Sequence, residues 1–124
     1  MSHTGKIQLM LVVTASPDQV SEGDRLFSSH LPWMKQTHPK DGDKALLSYN
    51  VSKAAEMSNP MDPNSAPTGN TQFILTEVYA SPAGVSNHFE LAENSWDDFP
   101  AFVTWLENCK STLVPVAEIG NSLW

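Results

Sequence analysis

The stretch Phe73-Ile-Leu-Thr-Glu-Val-Tyr-Ala-Ser-Pro-Ala-Gly-Val-Ser-Asn-His88-Phe-Glu-Leu-Ala92 decides the fold, because it runs a strand directly into a helix. Phe73, Leu75, Glu77 and Tyr79 share one face of the strand by alternation, and Gln72, Ile74, Thr76 and Val78 share the other. Ser81 is the expected N-cap of the helix, and Pro82 takes its first position, where a missing N–H costs nothing. Glu77 and Tyr79 on the strand are thereby delivered close to His88 on the helix.

Upstream, Ile7 to Thr14 reads as a β-branched, aliphatic strand ended by Ser16-Pro17. A helix follows, with Ser16 as cap, Pro17 in the first turn, and Gln19 completing a capping-box pattern. Val20, Phe27, Leu31 and Met34 form its expected buried stripe. Pro32 removes a backbone donor, so the helix is expected to stop near His30 and give way to an irregular segment holding Trp33 and His38. After a turn at Lys40-Asp-Gly-Asp43, Ala45, Leu47, Tyr49 and Val51 alternate with Leu46, Ser48, Asn50 and Ser52 as a second strand. Residues 56–70, with Pro60, Pro63, Pro67 and Gly69, read as a long loop of the kind that serves as a lid, a subunit clasp or a disordered insertion.

Downstream, a further helical piece begins near Ser95-Trp-Asp-Asp98, with Phe99, Phe102, Val103 and Leu106 on its inner face. Pro100 suits its first turn if Asp98 is the cap and removes a hydrogen bond if Ser95 is. Leu113 to Ile119 is the last strand. The order strand, helix, strand, strand, helix, strand implies a single α+β domain over 1–124, a ferredoxin-like four-stranded antiparallel sheet with both helices on one face. The first and last strands carry apolar residues on both faces, Met10 and Val12 opposite Leu9 and Leu11, and Val114 and Val116 beside Leu113. Two helices cover one side only, so a second copy of the chain is the expected cover for the other.

Composition narrows the partners. Seven basic residues face fourteen acidic ones, and from Ala54 onward nine acidic side chains meet only Lys110. Such a surface repels phosphate backbones, which argues against nucleic acid. The apolar run from Ile7 to Val13 is too short to span a membrane. Cys109, the only cysteine, cannot form an internal disulfide, and a reducing, cytoplasmic setting is expected. Its place near a helix end among apolar neighbours reads as a buried small hydrophobe. The sequon at Asn50-Val-Ser52 falls inside a predicted strand and is discounted.

The element order, the Leu46-Leu-Ser-Tyr-Asn50 strand, and Glu77-x-Tyr-x-Ser with His88 in the next helix resemble the dimeric α+β barrel superfamily, specifically the antibiotic biosynthesis monooxygenase-like proteins. The resemblance covers nearly the whole chain. It implies a homodimer with a pocket between sheet and helices in each subunit and, in some members, an oxygenase needing no metal, flavin or other cofactor. It also implies a histidine at the position of His88. The haem-degrading pattern departs from this sequence, which has no Asn in strand one and has Val78 where a Trp is expected. The quinone-forming pattern departs as well, since the only arginine is Arg25 on the first helix.

Within that frame His88 is the candidate base, its near-neutral intrinsic pKa suiting proton transfer from a phenol or enol, with Glu77 orienting it. The bland reading is a half-buried histidine held by a hydrogen bond to Glu77, itself paired because it shares a face with Phe73 and Leu75. Tyr79 and Tyr49 are candidate donors to a substrate oxygen, or simply strand packing. His30, Trp33, Met34 and His38, with Phe27, form a second cluster that would suit a flat aromatic ligand, or a core edge capped by tryptophan. A metal site draws no support from spacing, since His3, His30, His38 and His88 show no helical i, i+4 pair and Cys109 stands alone. Two functions follow: a small cofactor-independent monooxygenase or isomerase acting on an aromatic or polyketide-like molecule, and a non-catalytic dimer that binds a small hydrophobic ligand or protects another component under stress.

Overall fold

A computed structural model describes residues 2–124. Strand β1 (Ile7–Ala15) leads through a 3-10 turn (Pro17–Gln19) into helix α1 (Val20–Thr37). Strands β2 (Leu46–Met57) and β3 (Pro67–Tyr79) form a hairpin, and helices α2 (Pro82–Ser95) and α3 (Phe99–Asn108) precede strand β4 (Lys110–Glu118). The sheet is ordered β2-β3-β1-β4 with every neighbouring pair antiparallel, the ferredoxin-like α+β arrangement expected from the element order. Three helices rather than the two of the expected element order cover one face, because the further helical piece near Ser95-Trp-Asp-Asp98 is a helix of its own, α3, separated from α2 at Trp96.

The core lies between that face and the helices. Ile7, Leu9, Leu11 and Val13 of β1 and Phe73, Leu75 and Tyr79 of β3 meet Leu26, Phe27, Trp33 and Met34 of α1 and Phe102 and Trp105 of α3. Burying each large side chain contributes about 1.5–3 kcal/mol. Met10, Val12 and Ile74 stand outside this core, on the opposite face, where Met10 is 37% and Val114 45% exposed. Among the described residues no helix is long and apolar enough to cross a membrane.

Several expectations are corrected. Helix α1 does not stop at His30 but continues through Pro32 to Thr37. The interior proline costs about 3 kcal/mol by removing a donor to the carbonyl four residues back. That carbonyl belongs to exposed Ser28, and burial of Trp33 and Met34 on the opposite side offsets the loss. Leu31 is 55% exposed, and the buried stripe of α1 instead runs through Gly23, Leu26, Phe27, His30, Trp33 and Met34. The capping box is absent: Ser16 makes no cap bond, and its hydroxyl donates to Asp18 at 2.5 Å.

The expected 56–70 loop is mostly strand. Beyond the last β1–β3 pair, Ala15 with Thr71, the β2–β3 ladder continues alone to Met57 and Pro67. Only residues 58–66 turn the chain, closed by Ser58 N–H to the Ala66 carbonyl and by Ser65 Oγ to the Asn59 carbonyl. Pro67 is tolerated because β3 has no second neighbour at that end.

Helix α2 obeys the sequence: Ser81 Oγ accepts from the Ala83 N–H, with Pro82 next. The start of α3 falls at Asp98, which leaves Pro100 harmless in the first turn. Its most buried residue is Trp105, which the i, i+3, i+4 reading passed over, while Val103 is exposed. Cys109 caps the end of α3, half-buried, and burial raises its thiol pKa.

Candidate functional site

Glu77 sits in the middle of the inner sheet face, paired across the ladders with Leu9 on one side and Tyr49 on the other. A register irregularity between Leu46 and Ser48 turns Leu47 outward and lets both Leu46 and Tyr49 face the core. Glu77 has no exposed surface. Its Oε1 accepts from the Tyr79 hydroxyl at 2.5 Å, and its Oε2 has no hydrogen-bond partner. Burial raises its pKa to about 7, against the lowering effect of the Tyr79 hydrogen bond. The same burial, together with the nearby carboxylate, raises the pKa values of Tyr79 and Tyr49, so both phenols are neutral.

Two histidines, His30 and His88, stand close to this carboxyl, and another, His38, backs His88. Tracing their protons fixes one end of the network. The Thr37 hydroxyl donates to the Trp33 carbonyl at 2.7 Å, so its oxygen accepts from Nδ1–H of His38 at 3.0 Å. Nε2 of His38 is then the acceptor in its 2.9 Å contact with Nδ1 of His88, which must carry the proton. Nε2 of His88 is left holding a lone pair. The third ring, His30, meets the Tyr49 hydroxyl through Nδ1 at 2.7 Å.

All three imidazoles are neutral at neutral pH. Burial lowers the pKa of His30 and of His88 to about 3 and that of His38 to about 4, with repulsion from His38 adding to the shift in the first two. The 3.9 Å separation of His88 Nδ1 from Glu77 Oε1 is therefore neither an ion pair nor a hydrogen bond. The expected role of Glu77 in orienting His88 falls to His38.

His88 and His30 also line a cavity of about 210 Å³ enclosed by Leu9, Leu11, Leu75, helix α2 and helix α3. Its other lining residues are aliphatic or aromatic, among them Phe89, Trp96, Phe102 and Leu113. The remaining predicted site residues lie elsewhere. Tyr79, Tyr49 and Glu77 stand behind the histidines. Trp33 stacks on Trp96 with ring centroids 5.6 Å apart, packs edge-on to His38, and donates to Ser95 Oγ. Met34 is core, and Phe27 stacks on Phe73 and meets Trp105 edge-on. The space between Tyr79, His88 and Trp33 is thus filled with side chains, and the open space lies on the α2–α3 side of His88. Trp96, whose ring sits 4.8 Å from that of His30, belongs to this cavity. Sequence reasoning used Trp96 only to place a helix start.

The space can take an uncharged molecule with one polar group directed at an imidazole, since among the described residues no cationic side chain lines it. Comparison with known proteins adds the fold. No family model matches the sequence, and no curated protein matches it. Among solved structures, a dimeric ferredoxin-like protein from an uncultured marine organism is similar, with a TM-score of 0.63, 12% identity, and coverage of 95% of this chain and 98% of that one.

Proposed function

We propose that the protein is a homodimer in which each subunit encloses one small apolar or aromatic molecule and removes a proton from it with His88. This makes it a cofactor-independent monooxygenase of the antibiotic biosynthesis monooxygenase-like kind. The observation that carries this reading is the cavity wall, where, among the described residues, His30 and His88 are the only side chains able to exchange a proton. A phenol or enol hydroxyl at Nε2 of His88 meets a lone pair fixed by the Thr37–His38–His88 chain. An imidazole with a pKa of about 3 is a weak base on its own, but its imidazolium would form 3.9 Å from Glu77. The ionised carboxylate stabilises that cation, so turnover rises with pH through about 7 as Glu77 loses its proton. Once deprotonated, an electron-rich phenol or polyketide-like enolate is itself the reductant of dioxygen. A C–O bond forms to give a hydroperoxide, whose O–O bond then breaks with loss of the ring or methylene proton to leave a carbonyl on the product and the second oxygen as water.

Dimerisation rests on the outer sheet face, where Met10, Val12, Ile74 and Val114 stand without a covering helix. The similar solved protein is itself described as dimeric.

The test is oxygen uptake across a panel of phenols and polyketide-like enols, with His88→Ala and Glu77→Gln. Loss of turnover in the first and of the pH 7 rise in the second supports the reading. Turnover that survives His88→Ala removes His88 as the base.

The low basicity of His88 favours a second reading, a non-catalytic binding protein in which the neutral imidazole only accepts a hydrogen bond. Ligand-dependent thermal stabilisation with no product would select it.

A further inference from the structure

His30 on α1, Glu77 on β3 and His88 on α2 come from three separate elements, yet one donor atom from each lies within 4.8 Å of the others. All three side chains are buried and no hydrogen bond joins any two of them. Each instead has one atom tied to an outer partner and one atom left over. Nδ1 of His30 is held by Tyr49, Nδ1 of His88 by His38, and Oε1 of Glu77 by Tyr79. Oε2 of Glu77 is buried without a partner, and neither Nε2 makes a protein hydrogen bond among the described residues. Outer groups that hold one ring nitrogen and one carboxylate oxygen while leaving the other free are what ligating histidines and carboxylates require.

We infer that His30, Glu77 and His88 bind one divalent first-row transition-metal ion, as a two-histidine, one-carboxylate set whose open positions face the apolar cavity. Two imidazole nitrogens favour zinc, iron, cobalt or copper ions over calcium or magnesium, which prefer oxygen. Bond lengths of about 2.0–2.2 Å bring donor atoms to about 3 Å from one another, so the three side chains must close in from their present spacing of up to 4.8 Å and His88 must turn Nε2 toward the carboxyl that its Nδ1 now faces at 3.9 Å. Tyr49 then accepts from Nδ1–H of His30, which leaves the lone pair of that ring on Nε2. The imidazoles are already unprotonated at neutral pH, so no proton need leave them. The cation also gives the orphaned carboxylate oxygen the partner it lacks. Two neutral imidazoles and one carboxylate leave a divalent ion with net charge +1, which suits an anionic oxygen ligand such as a phenolate in the cavity.

This inference does not rest on the proton-transfer reading. A neutral imidazole has one lone pair, so the metal-loaded form belongs with the non-catalytic binding reading, and His88 transfers protons only in the metal-free form. Binding is therefore measured without any substrate.

The experiment uses metal-stripped full-length protein, loaded separately with Zn(II), Co(II) and, anaerobically, Fe(II), then desalted and assayed for metal content. About one ion per chain is expected for at least one of these, with Co(II) giving visible absorption bands. His30→Ala, Glu77→Gln and His88→Ala each weaken binding by about 100-fold or more, and His38→Ala by at least about tenfold. His3→Ala, outside the cluster, leaves it unchanged. So that the outcome does not depend on an alanine variant keeping its fold, Cu(II) electron paramagnetic resonance on the wild-type protein supplies a reading that needs no variant: coupling to two imidazole nitrogens. Retention of no ion by the folded wild type, binding unaffected by all three ligand substitutions, or a Cu(II) spectrum without nitrogen coupling would each overturn the inference.

Discussion

Nε2 of His38 lies 2.9 Å from Nδ1 of His88, fifty residues further along the chain, and the contact fixes which nitrogen of His88 faces the cavity side with its lone pair. The proton order runs back through Thr37 to the Trp33 carbonyl near the end of helix α1. Replacing His38 with Ala leaves Nδ1–H of His88 buried without a strong acceptor. The expected cost is about 1–3 kcal/mol, read by chemical denaturation. Nitrogen-15 spectra of the imidazoles should show the Nδ1–H tautomer of His88 in the wild type and its loss in the variant. An Nε2–H tautomer in the wild type would reverse the assignment.

Stability climbs as pH rises from about 4.5 to 6.5. The folded pKa values of His30, His38 and His88, at about 3, 4 and 3, lie below the unfolded 6.5, so in that window the unfolded chain binds more protons. Glu77 opposes this, because its folded pKa of about 7 lies above the unfolded 4.5 and its contribution falls as pH rises between those values. Three groups against one leave a net uptake of about two protons on unfolding, a slope of roughly 3 kcal/mol per pH unit. Urea denaturation at half-unit intervals measures it, and His30→Asn should reduce the slope by about one proton. A flat profile would contradict burial of neutral imidazoles.

Tyr79→Phe removes the donor to Oε1 of Glu77 and leaves a fully buried carboxyl with no hydrogen bond at either oxygen. A loss of about 1–3 kcal/mol is expected. The loss should be greater at pH 8 than at pH 5, because only the ionised carboxylate needs the donor to hold its charge. Equal losses at both pH values would mean that Glu77 stays protonated throughout.

Ala92 is buried on the cavity wall. Ala92→Leu adds three carbons to a space of about 210 Å³ and should abolish thermal stabilisation by small phenols while leaving the melting temperature within a few degrees, as expected when a void rather than packed core is filled. Retained ligand-induced shifts would place the binding site elsewhere.

Met10 and Val114 face each other across the β1–β4 ladder on the uncovered side of the sheet. Met10→Asp puts a charge there without disturbing the helix-covered core. Sedimentation should show a dimer in the wild type and a folded monomer, or a dimer weakened at least about tenfold, in the variant. A monomeric wild type at micromolar concentration would remove the proposed assembly.

The periodicities in the sequence determined the order of the elements, that Glu77 and Tyr79 share one face of β3, and the start of α2 at Ser81-Pro82, whereas which side of the sheet that face covers was decided by the packing of the helices. The first three features depend on residues within a few positions of one another, where alternation, helical repeat and cap chemistry act locally. Packing between distant segments decided the rest. Burial of Trp33 and Met34 carried α1 through Pro32, a register irregularity put Leu46 and Tyr49 on one face, and ladder pairing turned most of the 56–70 stretch into strand. Spacing of the histidines argued against a metal site, because helical spacing reports only ligands on one element, whereas His30, Glu77 and His88 meet only after the two layers close. Only tertiary structure brings an α1 ring, a β3 carboxyl and an α2 ring together, since what holds them there is the burial of the apolar side chains around them.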